Sequence, residues 1–312
     1  MNNYICQLNE NVERIHVRYN NRYGIALAGD LYAAKNMDKS KKYPAIVVGA
    51  PYGGVKEQGP SVYANELANR GFVVLTFDPC YMGESGGEPR HVSSPDMFSE
   101  NISAGVDFLG LQSYVDREMI GALGICGSGG FALSAAAVDM RIKAVVTASM
   151  YDMSFAARAG QSPEQISETK KKLSLQRWKD AENNYPEYIP TFPEEAVMEI
   201  PDEMHGIWRE FFEFYATNRG HHRNARGGFT TTSDLAFINY PLLAHIDEIP
   251  RPILFIVGEQ SESRFFSDTA YDNANEPKEL LVIPNCNHVD LYDNITKIPF
   301  DKIETFFRNN LK

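Results

Sequence analysis

The sequence predicts an α/β fold, with a doubly wound, mostly parallel sheet and a helical cap inserted late in the chain. Three observations predict it. Short, continuous apolar runs recur along the chain, as is typical of strands buried on both faces. Segments with helical spacing alternate with these runs, which favours helices on both sides of one sheet. Between residues 153 and 245 the alternation stops, and the sequence becomes charged, aromatic and helix-like.

Each element follows from its own local pattern. Alternating segments at 15–19 and 24–32 predict an antiparallel pair of strands at one edge of the sheet. Apolar runs predict further strands at 43–50, 72–78, 119–123, 141–149, 253–257 and 279–283. Helices are predicted at 61–70, from 95 to about 109, at 131–138, at 267–275 and from 300 to the C-terminus. The core is therefore predicted to comprise residues 1–152 and 246–312, and the cap residues 153–245.

Composition excludes several classes of partner. The chain has 312 residues and a net charge of −11, which argues against nucleic acid and against an anionic membrane surface. No run of 18 apolar residues is present, and the first residues lack the pattern of a secretory signal. The four cysteines lack metal-type spacing and fit a reducing compartment. We therefore expect a cytoplasmic protein without cofactor or metal. The sequence leaves open whether the chain forms a homodimer.

The segment at 124–130 reads GICGSGG and directly follows the apolar run at 119–123. A strand, a sharp turn and a tightly packed helix with a nucleophile at the apex form a nucleophile elbow. We favour Cys126 as the apex because the apolar strand ends at Ile125, although a register with Ser128 at the apex is the alternative. The helix N-terminus is expected to favour a thiolate. A buried structural cysteine is the competing interpretation.

His288 is the predicted base. It follows the last predicted strand, within the sequence NCNHVD at 285–290, where a base belongs if the chain order is nucleophile, acid, histidine. Every other histidine lies before the elbow or inside the predicted cap. The sequence therefore predicts that Cys126 and His288 act together.

At these residues the chain resembles the α/β-hydrolase superfamily, specifically the dienelactone-hydrolase-like branch with a cysteine at the elbow. The stretches 51–53 and 78–87 also resemble X-prolyl dipeptidyl peptidases and cocaine esterases. The stretches 51–58 and 288–293 are similar to a group of bacterial hydrolases of this type, which in turn is similar to fungal polyketide acyltransferases. The resemblance covers roughly residues 25–151 and 246–312. It implies a Cys-His-acid triad. By spacing the acid is Glu262, with Glu259 as runner-up and Asp152 as a third candidate, although the loop lacks the usual Asp.

The oxyanion hole is predicted to use the backbone N–H of Gly127 and a donor from Tyr52, which follows the third strand. In the resembling esterases, a tyrosine at this place donates its hydroxyl. The predicted cap carries a dense aromatic run at 208–215. Because its aromatics occupy two helix faces, we expect one face to line an acyl pocket, unless both merely pack inside the cap. The predicted substrate-binding residues are Trp208, Phe212 and Tyr215.

These residues together predict an enzyme that cleaves an ester, lactone or thioester of a small acyl substrate through an acyl-enzyme on Cys126. An acyltransferase using the same triad is the nearest alternative. A binding scaffold that keeps the fold without catalysis is an alternative of another class. The identity of the substrate is not readable from the sequence.

Overall fold

The computed structural model describes residues 4–312. Residues 1–3 lie outside the described residues. They belong to the predicted core and to the first residues, in which the sequence lacks the pattern of a secretory signal. The described chain forms one eight-stranded sheet. Its strands are β1 (Val12–Asn20), β2 (Ala26–Ala34), β3 (Tyr43–Gly49), β4 (Val73–Phe77), β5 (Val115–Ile125), β6 (Val145–Ala148), β7 (Ile253–Gly258) and β8 (Lys278–Ile283).

The spatial order of the strands is β1-β2-β4-β3-β5-β6-β7-β8. β2 pairs antiparallel with both of its neighbours, β1 and β4, and every other pairing is parallel. The predicted fold class is therefore confirmed, including the antiparallel edge. The parallel strands β3 and β5 to β8 all end at one edge of the sheet, which is where ligands of such sheets bind.

Helices pack on both faces of the sheet because the side chains of each buried strand alternate between two cores. From β3, Ile46 and Val48 enter one core, whereas Ala45 and Val47 enter the other. The first core includes side chains of α1 (Gly59–Asn69) and α10 (Phe300–Asn310). The second includes side chains of α2 (Pro95–Gly110), α3 (Gly127–Val138) and α8 (Arg264–Asn273).

The segment predicted to form a cap connects β6 to β7. It contains α4 (Met153–Ala156), α5 (Pro163–Asn183), α6 (Gly206–Ala216) and α7 (Asp234–Asn239). Isolated β-bridges, such as Tyr188 with Thr230, join its irregular stretches. Its division from the core as a separate domain stays a prediction. The short helix α9 (Asp290–Asp293) follows β8. Within residues 4–312, no helix combines the length and apolarity needed to cross a membrane.

Candidate active site

Cys126 lies at the junction of β5 and α3 with a φ of 54° and a ψ of −123°. A non-glycine residue in such a conformation is strained by about 1–3 kcal/mol and persists only where its surroundings impose it. Here the backbone imposes it. The Cys126 N–H donates to the Ala148 carbonyl at 2.9 Å, and the Cys126 carbonyl accepts from Gly129 at 2.8 Å and Tyr151 at 3.0 Å.

Small residues make this turn sterically feasible. A Cβ atom on Gly124 would lie 2.1 Å from the Ser128 carbonyl oxygen, and one on Gly129 would lie 2.7 Å from the Met150 side chain. Both distances are too short for any real side chain, so the strand and the helix approach as closely as glycine allows. The close spacing predicted from the sequence is therefore required by the observed packing.

Ser128 belongs to the first turn of α3 and not to the apex. Its hydroxyl donates to the backbone carbonyl of Ala50, just beyond β3. Its side chain also fills the space that a Cβ atom on Gly49 would need. The structure therefore places Cys126 at the apex, as the favoured register predicts, and holds the Ser128 hydroxyl against the sheet.

Cys126 is 5% exposed, and three polar neighbours act to lower the pKa of its thiol. These are the Tyr292 hydroxyl and the backbone N–H groups of Tyr52 and Gly127. Burial nevertheless raises the pKa of the thiol, since desolvation outweighs these favourable contacts. The Gly127 N–H at the start of α3 favours a thiolate, as the sequence predicts, but burial outweighs it and the resting group is a neutral thiol.

Gly127 and Tyr52, the two residues predicted for the oxyanion hole, both lie at the thiol. Tyr52 offers its backbone N–H there and not its hydroxyl, which was the predicted donor. Its backbone N–H faces the sulfur. Its hydroxyl lies 2.6 Å from the Ser93 hydroxyl, and its ring stacks on Phe229 with 4.2 Å between the ring centroids. Two backbone N–H groups, from Tyr52 and Gly127, therefore converge where an oxyanion on Cys126 would form.

His288 follows β8 and is completely buried. Its Nδ1 lies 2.5 Å from the Ser263 hydroxyl, and its Nε2 lies 2.9 Å from the Tyr292 hydroxyl. Burial lowers the pKa of His288 to about 3, so the imidazole is neutral at physiological pH. The structure thus links His288 to Cys126 through Tyr292, a residue that the sequence reasoning missed.

The structure brings none of the three candidate acids to the His288 ring. Glu262, the predicted orienting acid, accepts a hydrogen bond from the Ile207 N–H at 3.1 Å, at the start of α6. Glu259 accepts from the Asn285 N–H at 3.0 Å. Asp152 accepts from two backbone N–H groups at the start of α4. All three carboxylates are therefore engaged with backbone donors elsewhere.

Ser263 takes the place that the acid was predicted to fill. It is 2% exposed, and its hydroxyl lies 2.9 Å from that of Ser261. The signal that could have found it is the serine pair in the sequence SES at 261–263, which flanks Glu262 on both sides. A hydroxyl orients an imidazole by hydrogen bonding but adds no charge to stabilise an imidazolium.

The backbone of His288 has a carboxylate partner that was also missed. Glu210 of α6 accepts from the His288 N–H at 3.0 Å and from the Val289 N–H at 3.4 Å. Burial raises the pKa of Glu210, although these two N–H groups oppose the shift. The ring of Phe211, the next residue of α6, meets the imidazole edge-on at 5.3 Å between centroids. Helix α6 therefore contacts both the backbone and the ring of His288 and holds them in position.

A cavity of about 460 Å³ opens onto the thiol. Trp208 and Tyr215 line it, as predicted, together with Phe211. Phe212, predicted as a third lining residue, is not among the lining side chains and packs against Phe192 with 6.2 Å between ring centroids. The remaining lining is mainly apolar: Tyr52, Cys126, Tyr151, Met153, Ala156, Ile189, Pro190, Thr191, Phe192, Ile207, Arg226, Gly227, Gly228, Phe229 and Tyr292.

Among the described residues, one group of carboxylates is close enough to share a cation: Glu57, Asp78 and Glu84. The Lys56 ammonium already lies among them, 2.5 Å from Glu57, 3.1 Å from Asp78 and 2.9 Å from Glu84. A side chain of the protein itself therefore supplies the positive charge that these carboxylates require.

Comparison with known proteins places this geometry in a family context. Residues 30–174 match the family model described as "Dienelactone hydrolase family". The chain is 49% identical to the uncharacterized protein PA2218 of Pseudomonas aeruginosa, over 97% of this chain and 82% of that protein. The crystal structure of PA2218 superposes with a TM-score of 0.95, at 48% identity, and covers 100% of this chain and 98% of that one.

Two more distant relatives have names that state a chemistry. The chain is 28% identical to the acyltransferase drtE of Aspergillus calidoustus, over 66% of each protein. It is 34% identical to the thiohydrolase aneE of Aspergillus aculeatus, over 40% of this chain and 37% of that protein. The first name states acyl transfer, and the second states a thiohydrolase reaction.

Proposed function

The chain belongs to the dienelactone hydrolase family of α/β-hydrolases, and from that premise we propose that it cleaves an ester, lactone or thioester through an acyl-enzyme on Cys126. The observation that carries the proposal is the arrangement around the thiol. A cysteine sits at the apex of the elbow, two backbone N–H groups converge on it, and an apolar cavity opens onto it.

The proposed reaction has two steps. In the first, the Cys126 sulfur bonds to the acyl carbon, and His288 receives the thiol proton and passes it to the departing alcohol or thiol. In the second, water gives a proton to His288 and its oxygen bonds to the acyl carbon. The C–S bond then breaks, the acid is released, and His288 returns the proton to the Cys126 sulfur. The N–H groups of Tyr52 and Gly127 stabilise the oxyanion in both steps.

The decisive experiment compares Cys126→Ala with Ser128→Ala on p-nitrophenyl acetate. Cys126→Ala removes the nucleophile and is expected to abolish turnover while the fold persists. Ser128→Ala is expected to keep an acetyl adduct on Cys126 that intact-protein mass spectrometry detects. Turnover that survives in Cys126→Ala and is lost in Ser128→Ala would refute the assignment. Failure of the wild type to react with any acylating probe would favour a binding scaffold.

The cavity supports an apolar acyl group as the bound part of the substrate. Trp208 and Tyr215 line the cavity. Phe212 lies on the same helix but does not line the cavity, so it provides a matched control. On a series of p-nitrophenyl esters, Trp208→Ala and Tyr215→Ala are expected to shift the preferred acyl length. Phe212→Ala is expected to lower the melting temperature without that shift. An unchanged length preference in all three variants would place the acyl pocket elsewhere.

Acyl transfer is a second candidate, supported by the burial of the reacting groups and by the relative named as an acyltransferase. His288 is fully buried and Cys126 nearly so, which restricts the access of water to the acyl-enzyme. An alcohol or amine acceptor would then replace water in the second step. Product analysis with added alcohols separates the two candidates, because a transferase forms an ester at the expense of the free acid.

A further inference from the structure

Tyr292 occupies the space between the two groups that the proposed reaction couples. It belongs to α9, four residues after His288, and its hydroxyl lies 2.9 Å from His288 Nε2. The same hydroxyl acts on the Cys126 thiol, whose pKa it lowers, and both side chains line the cavity at the thiol. The side chain is completely buried, and the rings of Phe214 and Tyr215 pack against it with centroids 5.0 and 6.5 Å away. The phenol is therefore held in place.

We propose that Tyr292 is a catalytic residue whose hydroxyl relays the proton between the Cys126 thiol and His288. The inference rests on the proposed function, because it assumes that Cys126 is the nucleophile. It changes the route of the proton: His288 receives it through the phenol of Tyr292 and not from the sulfur itself.

The relay step balances without any other reactant. As the sulfur bonds to the acyl carbon, its S–H bond breaks and the proton passes to the Tyr292 oxygen. The O–H bond of Tyr292 breaks in the same event, and its proton forms the N–H bond on His288 Nε2. Tyr292 ends the step as a neutral phenol. When the bond from the acyl carbon to the departing alcohol or thiol breaks, His288 Nε2 returns the proton through Tyr292 to that group. In the second step, the proton of water passes through Tyr292 to His288, and it returns through Tyr292 to the sulfur as the C–S bond breaks.

The surrounding hydrogen bonds agree with this direction. For Nε2 to accept a proton, the hydrogen of the neutral imidazole must be on Nδ1, where it donates to the Ser263 hydroxyl. Ser263 can in turn donate to Ser261, 2.9 Å away. Burial also raises the pKa of Tyr292 well above its ordinary value, so the relay passes a proton without forming a free phenolate.

Tyr292→Phe tests the relay because it removes only the hydroxyl. Tyr63→Phe is the matched control: its buried hydroxyl donates to the Leu291 carbonyl at 2.6 Å, on the same short helix but away from the thiol and the imidazole. Stopped-flow acylation with p-nitrophenyl acetate is expected to slow by about 10²–10⁴-fold in Tyr292→Phe, with KM little changed. It is expected to stay within about threefold of wild type in Tyr63→Phe. An acylation rate in Tyr292→Phe that equals that of the control would overturn the relay.

A measurement on the wild-type enzyme keeps the test independent of folding in the variants. The acylation rate is measured in mixtures of H₂O and D₂O. Because two protons move together in the relay, the rate is expected to vary with the square of a linear function of the deuterium fraction. A one-proton dependence would overturn the relay, and the nucleophile would stay assigned. Turnover that survives in Cys126→Ala would instead refute the proposed function itself, so the two failures are distinguishable.

Discussion

The elbow and the histidine loop perform paired tasks but are built in different ways. Cys126 is positioned by backbone hydrogen bonds and by glycines of its own strand and helix. His288 is positioned by side chains that arrive from distant segments. Ser263 holds its ring from the loop after β7, and Glu210 holds its backbone from α6, 78 residues away in sequence. The nucleophile is therefore positioned by backbone geometry, whereas the base is positioned by side chains from distant segments.

Substitutions in the elbow and substitutions around His288 should therefore have different consequences. A change in the elbow alters backbone geometry that the central sheet also needs, so it threatens the fold. A change around His288 removes one polar partner from a ring that keeps its other contacts, so it reduces the rate.

The largest effect is expected from Gly124→Ala. Its Cβ atom would overlap the Ser128 carbonyl, which cannot move without displacing α3 from β5. We expect a loss of more than about 4 kcal/mol in the free energy of unfolding, or no folded protein at all. Gly110→Ala is the control, since the nearest atom beyond its chain neighbours and helix backbone, Arg117 Cγ, would lie 3.7 Å from its Cβ position. Similar urea denaturation midpoints for the two variants would contradict the steric argument.

A smaller effect is expected from Ser263→Ala. It leaves Nδ1 of a buried imidazole without its hydroxyl partner, which typically costs about 1–3 kcal/mol, or roughly 5- to 150-fold in kcat/KM. Glu262→Gln is expected to change kcat/KM by less than about threefold, because Glu262 holds the start of α6 and not the ring. The reverse order of effects would restore Glu262 as the orienting acid.

The pH dependence of stability should report the burial of His288. Its pKa is about 3 in the folded chain but about 6.5 in the unfolded chain, so only the unfolded state gains a proton between these values. Stability is therefore complete above pH 6.5 and falls as the pH drops towards 3, by up to about 1.4 kcal/mol per pH unit from this group. Urea denaturation of wild type and His288→Gln between pH 7 and pH 5 isolates this slope. Parallel curves would show that His288 titrates with the same pKa in the folded and the unfolded chain.

The smallest effect is expected from Tyr52→Phe. Its hydroxyl is engaged with Ser93, and the group that faces Cys126 is the backbone N–H, which the substitution retains. Acylation is expected to stay within about threefold of wild type, against the 10²–10³-fold loss typical of a missing oxyanion donor. A loss of that size would return the hydroxyl to the oxyanion hole and make this part of the site depend on a side chain.

Much of the architecture could be predicted because its signals are local. Buried strands appear as apolar runs, and all eight predicted strands are present with shifted ends. The position of Cys126 follows from where the apolar run of β5 stops and from the glycines that the turn requires. The position of His288 follows from chain order after β8. These conclusions need only the periodicity of a strand and the steric limits of a turn.

Side-chain direction was beyond the reach of the sequence. Glu262 and Ser263 are adjacent, and only the path of the loop after β7 decides that the serine faces the imidazole while the glutamate caps α6. The rotation of α6 likewise turns Phe211 to the cavity and Phe212 to Phe192. One residue along a helix rotates a side chain by about 100°, so no spacing rule could distinguish these neighbours.

By itself, then, the sequence determined the order of strands and helices, the elbow and the place of the histidine, since each depends on residues close together in the chain. The tertiary structure alone decided that a serine holds the ring, that Tyr292 joins the imidazole to the thiol, and that Tyr52 offers its N–H and not its hydroxyl. The physical reason is that these contacts join side chains from separate segments, whose directions are set only when the packed core closes around them.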